Sequence, residues 1–178
     1  MAITKIQSES LNLSDNYDFT GTVTGAGGTM TPAFFAYSSA VQSVSDNTYT
    51  KVQINTEEYD TDNCYDNTTN YRFTPTVAGK YFFYGTICLN ADPDNVIRNA
   101  GIAFYKNGSA LYGGTNDVGN EQSTSEQISI SASFNMNGST DYVELYGRID
   151  VASGTPRFLT AYIGDNRDTY FGAYKIIE

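Results

Sequence analysis

The chain has 178 residues, 40% of them apolar, and ten Lys and Arg against 20 Asp and Glu give a net charge of −10 with no His. That length suits one domain with a sizeable core, or one domain plus an arm. Without His, neither Ser-His-Asp and Cys-His nucleophiles nor His-ligated zinc sites can be built, and the dispersed basic residues leave no footprint for nucleic acid.

Fifteen Tyr and ten Phe without Trp, set among Thr, Ser, Asn and Gly, predict an all-β protein. No stretch approaches the roughly 18 apolar residues of a membrane span, and "AITKIQSES" after Met1 lacks the apolar core of a secretory signal. Membrane insertion is therefore not expected.

Residues 1–31 read as an N-terminal arm and residues 32–178 as a head. The arm is rich in Thr, Ser and Gly and cannot bury enough surface to fold alone. Its apolar side chains Ile3, Ile6, Leu11, Leu13, Phe19 and Val23 are the candidate anchoring contacts, made to another copy or to a larger assembly. The alternation in "DFTGTVTG" suits a strand added to a neighbour's sheet.

From Thr31 onward the apolar period is two. "AFFAYSS" (33–39) and "TYTKVQI" (48–54) are predicted strands, followed by "KYFFYGTICL" (80–89). "AGIAFYKNGSALYG" reads as a hairpin turning at Asn107-Gly108. "ISISASF" places Ile128, Ile130, Ala132 and Phe134 on one face, and "YVELYGRI" turns Val143, Leu145, Gly147 and Ile149 inward. Asn137-Gly138 between those two runs predicts a second hairpin. "RFLTAYIG" and "TYFGAYKII" complete a set of strands with the spacing of a jelly roll or related sandwich.

Two strands carry large side chains on both faces. Tyr81 and Phe83 oppose Phe82 and Tyr84, and Phe158 and Tyr162 oppose Leu159 and Ile163. A sheet with one solvated face does not need this. Two-sided burial predicts a second apolar interface, most simply with copies of the same chain, and Phe82, Tyr84, Phe158 and Tyr162 are assigned to it.

The frame Phe73-x5-Gly79-x-Tyr81-x-Phe83 resembles the signature of the complement component 1q globular head, a relative of tumour necrosis factor. "YDTDNCYDNTTNYRF" before it resembles that family's acidic Tyr-Asp loop, and "FYKNG" (104–108) resembles its hairpin. "YFGAYKII", with Phe171, Gly172, Tyr174 and Ile176, is similar to its closing strand. These pieces run in the family's order over about residues 34–178. Gly85 departs from the pattern, since the family usually has another aromatic there, and a local repacking is expected. The resemblance implies a jelly-roll sandwich of about ten antiparallel strands and a homotrimer. No Gly-x-y tract precedes the head, so stalk-borne biology is not implied.

"NL…YDFTGTV" in the arm resembles the leading segment of tailed-bacteriophage fibre and particle-surface proteins. It implies a virion-surface protein made in the host cytoplasm, with other virion proteins as partners of the arm. The implied role is host-surface adsorption as a fibre tip, through a glycan or protein, or capsid decoration. The alternative is a soluble carbohydrate-binding or cytokine-like trimeric module attached to no particle.

Acidic loops supply Asp60, Asp62 and Asp66, then Asp92 and Asp94, then Asp165 and Asp168. Flexible oxygen ligands of this kind suit Ca²⁺, and heads of the resembling family often bind it near the trimer axis. No calcium-loop spacing is present, and Asp and Asn favour turns in any case, so solvated turn residues are the preferred reading and no cofactor is required. Glu57-Glu58 and Glu121 with Glu126 are the carboxylate pairs a glycosidase would need, but adjacent Glu residues on a strand point to opposite faces. No enzymatic activity is expected. Cys64 and Cys88 are too few for a disulfide scaffold; one bridge is conceivable and two separate thiols are preferred.

Overall fold

The structure is a computed structural model describing residues 30–119, 122–161 and 167–176. The arm positions Ile3, Ile6, Leu11, Leu13, Phe19 and Val23 lie outside the described residues, as do Glu121, Tyr162 and Asp165.

Alternation of apolar and polar side chains produces strands throughout, and the described residues contain no helix. In chain order the strands are β1 (Ala33–Tyr37), β2 (Gln42–Ser43), β3 (Thr50–Lys51), β4 (Thr56–Asp60), β5 (Tyr65–Asp66), β6 (Arg72–Phe73), β7 (Gly79–Asp92), β8 (Ile97–Lys106), β9 (Ser109–Asp117), β10 (Ser125–Met136), β11 (Val143–Val151), β12 (Thr155–Leu159) and β13 (Tyr170–Lys175). They build one seven-stranded and one six-stranded sheet, every pairing antiparallel. We call them sheets A and B.

The spine of sheet A is β7. Along one edge it pairs with β10 from Gly79 to Asn90; along the other it pairs first with β13 and then with β12. Beyond β13 lie β1 and β4, and β2 extends β12. Sheet B runs β5-β6-β11-β8-β9, with β3 also on β11. The β8–β9 hairpin turns at Asn107-Gly108, both with positive φ (52° and 79°), which is the conformation that favours this dipeptide in a tight turn.

The second expected hairpin does not form. β10 belongs to sheet A and β11 to sheet B, so the segment around Asn137 carries the chain across the core. The Asn137 side-chain oxygen accepts bonds from the backbone N–H groups of Ser139, Thr140 and Asp141, organising a loop in place of a two-residue turn. Gly138 is required there: a Cβ would lie 2.3 Å from the backbone nitrogen of Ala78.

Other boundaries differ too. Of "TYTKVQI" only Thr50–Lys51 pairs as strand, although Val52 and Ile54 are buried in the core. β12 ends at Leu159, and the carbonyl of Thr160 after it accepts from the N–H groups of Asp168 and Thr169.

Between the sheets lies one core. From sheet A come Phe34, Tyr81, Phe83, Ile87, Leu89 and Phe171; from sheet B come Phe73, Ile102, Phe104, Leu145 and Ile149, all at 0% exposure. Each such side chain contributes roughly 1.5–3 kcal/mol on burial. Gly85 faces this core, and both Leu145 methyls stand 3.1 Å from the position its Cβ would take. Leu145 from the facing sheet thus fills the volume where an aromatic was expected. Cys64, in the loop ahead of β5, and Cys88, on β7, are separate buried thiols.

Candidate interaction surfaces

Of the signature residues, Phe73, Tyr81, Phe83 and Phe171 converge inside the sandwich, whereas Gly172 and Tyr174, grouped with them in sequence, alternate onto the opposite face of sheet A and are corrected to that face. Phe73 meets Tyr81 at 5.8 Å and Phe83 at 6.0 Å between ring centroids, and Phe83 meets Phe171 at 6.2 Å. Phe34, from a strand outside the signature, stacks on Phe73 at 4.7 Å and meets Phe171 edge-on. The Tyr81 hydroxyl donates to the carbonyl of Val77 (2.7 Å), and burial pushes its pKa up to about 12. These residues hold the two sheets together and present nothing to a ligand. Gly79 opens β7 at φ +148°, with Lys175 lying across the place of its missing side chain.

The opposite face of sheet A is where chemistry is exposed. Phe82 lies 6.2 Å from Tyr84 and 5.5 Å from Tyr174, and Phe35 lies 6.4 Å from Tyr84 and 5.5 Å from Tyr170. Tyr59 on the neighbouring strand continues the layer at 6.4 Å from Phe35 and is 45% exposed. Gly172 explains how the layer lies flat. It sits opposite Tyr84 in the β13–β7 register, and a Cβ there would meet the Tyr84 ring at 2.5 Å. Next to the rings is a depression of about 240 Å³ bounded by Tyr84, Tyr170, Thr86, Ser129 and Ser131. Its wall is fixed by a 2.8 Å hydrogen bond between the Thr86 and Ser129 hydroxyls.

Two of the four residues assigned to a second interface, Phe82 and Tyr84, lie on this face. Phe158 does not. It is 2% exposed and crosses into the core against Gly147, whose Cβ would sit 2.7 Å from the Phe158 ring and 2.9 Å from Ile87. Phe158 pairs in register with the core residue Leu89, so the pleat turns it inward, Gly147 leaves room for its ring, and the assignment of Phe158 to the outer face is corrected. Phe35, Tyr59 and Tyr170 were missed, although the alternation in "AFFAY" places Phe35 opposite the core residue Phe34.

Asp60 and Asp66 are occupied with the backbone of their own loop. Asp66 accepts from the N–H groups of Thr69 (2.9 Å) and Thr68 (3.1 Å) and from the Asn70 amide (2.6 Å), and these bonds hold its carboxyl well below the usual carboxylate range. Asp60 accepts from the N–H of Tyr65 at 2.7 Å, and Asp62 accepts from the Thr61 hydroxyl at 2.6 Å. Asp92 and Asp94 are exposed around the end of β7. Among the described residues no three Asp, Glu, Cys or His side chains gather closely enough to hold a metal ion. Glu58 pairs with Arg167 at 2.9 Å.

On the outside of sheet B, Glu144 is buried at 4% exposure and pairs with Lys51 at 2.5 Å. Beside it Tyr146 stacks on Tyr105.

No protein-family model matches the chain, and no curated protein matches it. Solved structures do. It is similar to murine APRIL at pH 5.0, with a TM-score of 0.56 at 12% identity over 81% of this chain and 98% of that one. Eiger TNF from S. frugiperda gives a TM-score of 0.56 at 11% identity over 81% of this chain and 91% of that one. The globular domain of zebrafish complement 1qA protein gives 0.52 at 16% identity, over 82% and 97%. At such identities the likeness establishes the fold, a jelly roll of the tumour necrosis factor and complement 1q type.

Proposed function

We propose that this protein is a non-enzymatic display module whose chains associate as a homotrimer through the outer face of sheet A. The observation that carries the reading is the aromatic layer of Phe35, Phe82, Tyr84, Tyr170 and Tyr174, apolar surface that one chain alone leaves half-exposed. Contiguous apolar area of this kind marks an interaction face. A heterologous contact, in which this face receives a different surface of the next copy, closes into a ring when the rotation allows. The names of the structural relatives, tumour necrosis factor and complement 1q, favour a recognition role over catalysis.

In the finer reading, the trimer sits on a phage particle, anchored by residues 1–31, and serves host-surface adsorption or capsid decoration. That reading is supported by the arm's sequence alone. Deleting residues 2–30 tests it: loss of particle attachment by a chain that keeps its assembly supports the virion role, and unchanged attachment removes it.

Self-association is tested with Phe82→Glu, which sets a charge in the middle of the layer without touching the core. The expected result is a folded chain of monomer mass in sedimentation equilibrium. A variant with the wild-type mass contradicts the assignment of this face.

A further inference from the structure

The outer face of sheet B carries a trough that self-association through sheet A leaves pointing away from the assembly. On β8 the outward positions are Asn99, Gly101, Ala103 and Tyr105, and β9 runs beside them with every residue exposed. A depression of about 230 Å³ there is lined by the small residues Ala103, Ala110 and Gly113 and by Tyr49, Tyr105, Leu111 and Tyr112.

Its walls are held in place. Tyr105 stacks on Tyr146 with centroids 3.9 Å apart and planes 22° apart. Tyr49 lies 6.4 Å from Tyr105, and the Arg148 guanidinium sits 5.5 Å from the Tyr49 ring centre. Arg148 is in turn bonded to Asn47 at 2.7 Å and to Asn99. Gly101 lets Tyr49 lie down on the sheet, since a Cβ there would be 2.8 Å from its hydroxyl. Two tyrosines are thus presented at fixed positions beside residues without bulk, the preorganisation that lowers the entropic cost of binding.

The lining selects among ligands. No charged side chain borders the depression, so an ion gains no partner there. Aromatic rings with hydroxyl tips beside alanines suit a rigid body with one apolar face and a hydroxylated rim. A pyranose ring has that form: its C–H face packs on the tyrosine and its hydroxyls reach the tyrosine hydroxyls and water. The volume is on the order of a single sugar ring, and the open side along β9 lets further units run out into solvent.

We propose that the Tyr49–Tyr105 trough binds an uncharged pyranose unit of a larger saccharide. The assignment rests on the preceding reading only in using the sheet that self-association leaves outward, and it names the ligand class of the recognition role proposed there.

The test uses the full chain, probed with neutral gluco-, galacto-, manno-, rhamno- and N-acetylglucosamine oligosaccharides. Binding is followed by saturation-transfer NMR and by tyrosine fluorescence, which no Trp obscures. At least one series is expected to receive saturation, strongest on ring C–H protons. Tyr105→Phe retains binding, and Tyr105→Ala weakens it about tenfold through loss of the stacking face. Because Tyr105→Ala also removes a ring from the Tyr146 stack, Ala110→Gln serves as the second variant. It lies on exposed β9, fills the trough without entering the core, and is expected to bind as weakly.

Sugar binding lost in Ala110→Gln at unchanged mass supports the trough. A monomeric wild type that still binds sugar leaves the trough standing and overturns self-association alone. No transfer to any series, or full binding by Ala110→Gln, overturns the proposal. So does a proline-rich peptide that occupies the trough where no saccharide does.

Discussion

At Gly147 a missing side chain decides where a large one goes. Phe158 and Ile87 close over the glycine to within 3 Å of where its Cβ would be, so Gly147→Val forces atoms into filled space. A loss of about 1–3 kcal/mol is expected, read as a lower urea midpoint at unchanged slope. Glu144 is placed by charge, since its side chain is 5% exposed and pairs with a Lys51 that is 31% exposed. Lys51→Met strands that charge, and because water reaches the lysine the expected cost is about 2–3 kcal/mol, below the figure for a fully buried pair. Adding Glu144→Gln to Lys51→Met should recover part of the loss in the same denaturation experiment. Asp66 has a pKa lowered in the folded state by hydrogen bonds from Thr69, Asn70 and Thr68. A group depressed when folded stabilises above its unfolded value of about 3.9 and loses that contribution as pH falls. Asp66→Asn should therefore be less stable at neutral pH and show a shallower fall in stability between about pH 5 and pH 2. A parallel fall in both proteins would contradict the role assigned to these bonds.

Among the elements, β7 was the most legible in sequence because both of its faces are read by period two. Tyr81 and Phe83 point into the sandwich, while Phe82 and Tyr84 point out of it. The β8–β9 hairpin was legible for a related reason: Asn107-Gly108 fits only a narrow set of turns. Asn137-Gly138 misled because the same dipeptide also starts a side-chain-organised loop, and because β10 and β11 have one apolar face each whether they pair or face each other across the core. Only long-range partners, β7 for the first and β8 for the second, distinguish the two. β12 misled through Phe158, whose direction is set by its pairing with Leu89 on β7. The trough on sheet B shows the same limit. Tyr146 and Arg148 were readable as outward-facing from alternation, but nothing local brings Tyr49 and Tyr105 beside them. Where a property is carried by neighbours in sequence it was legible; where it is carried by pairing across sheets it was not.

For the whole molecule, the sandwich has one face committed to its core and a different aromatic surface outside each sheet. In the proposed arrangement, sheet A meets other copies of the chain and sheet B meets a ligand. Three copies around an axis would present three equivalent troughs outward, so that weak single-site contacts gain avidity on a repetitive surface. That architecture depends on copy number; in the proposed virion reading the arm would add only a tether to a larger particle. The net charge of −10 adds long-range repulsion between chains, so apolar contact at the Phe82–Tyr84 layer has to outweigh it, and added salt should favour assembly by screening. The measurement that tests the account most directly is the mass of the purified full-length protein by light scattering. Three times the 19.5 kDa chain is the predicted result, and a stable monomer at high protein concentration would contradict it.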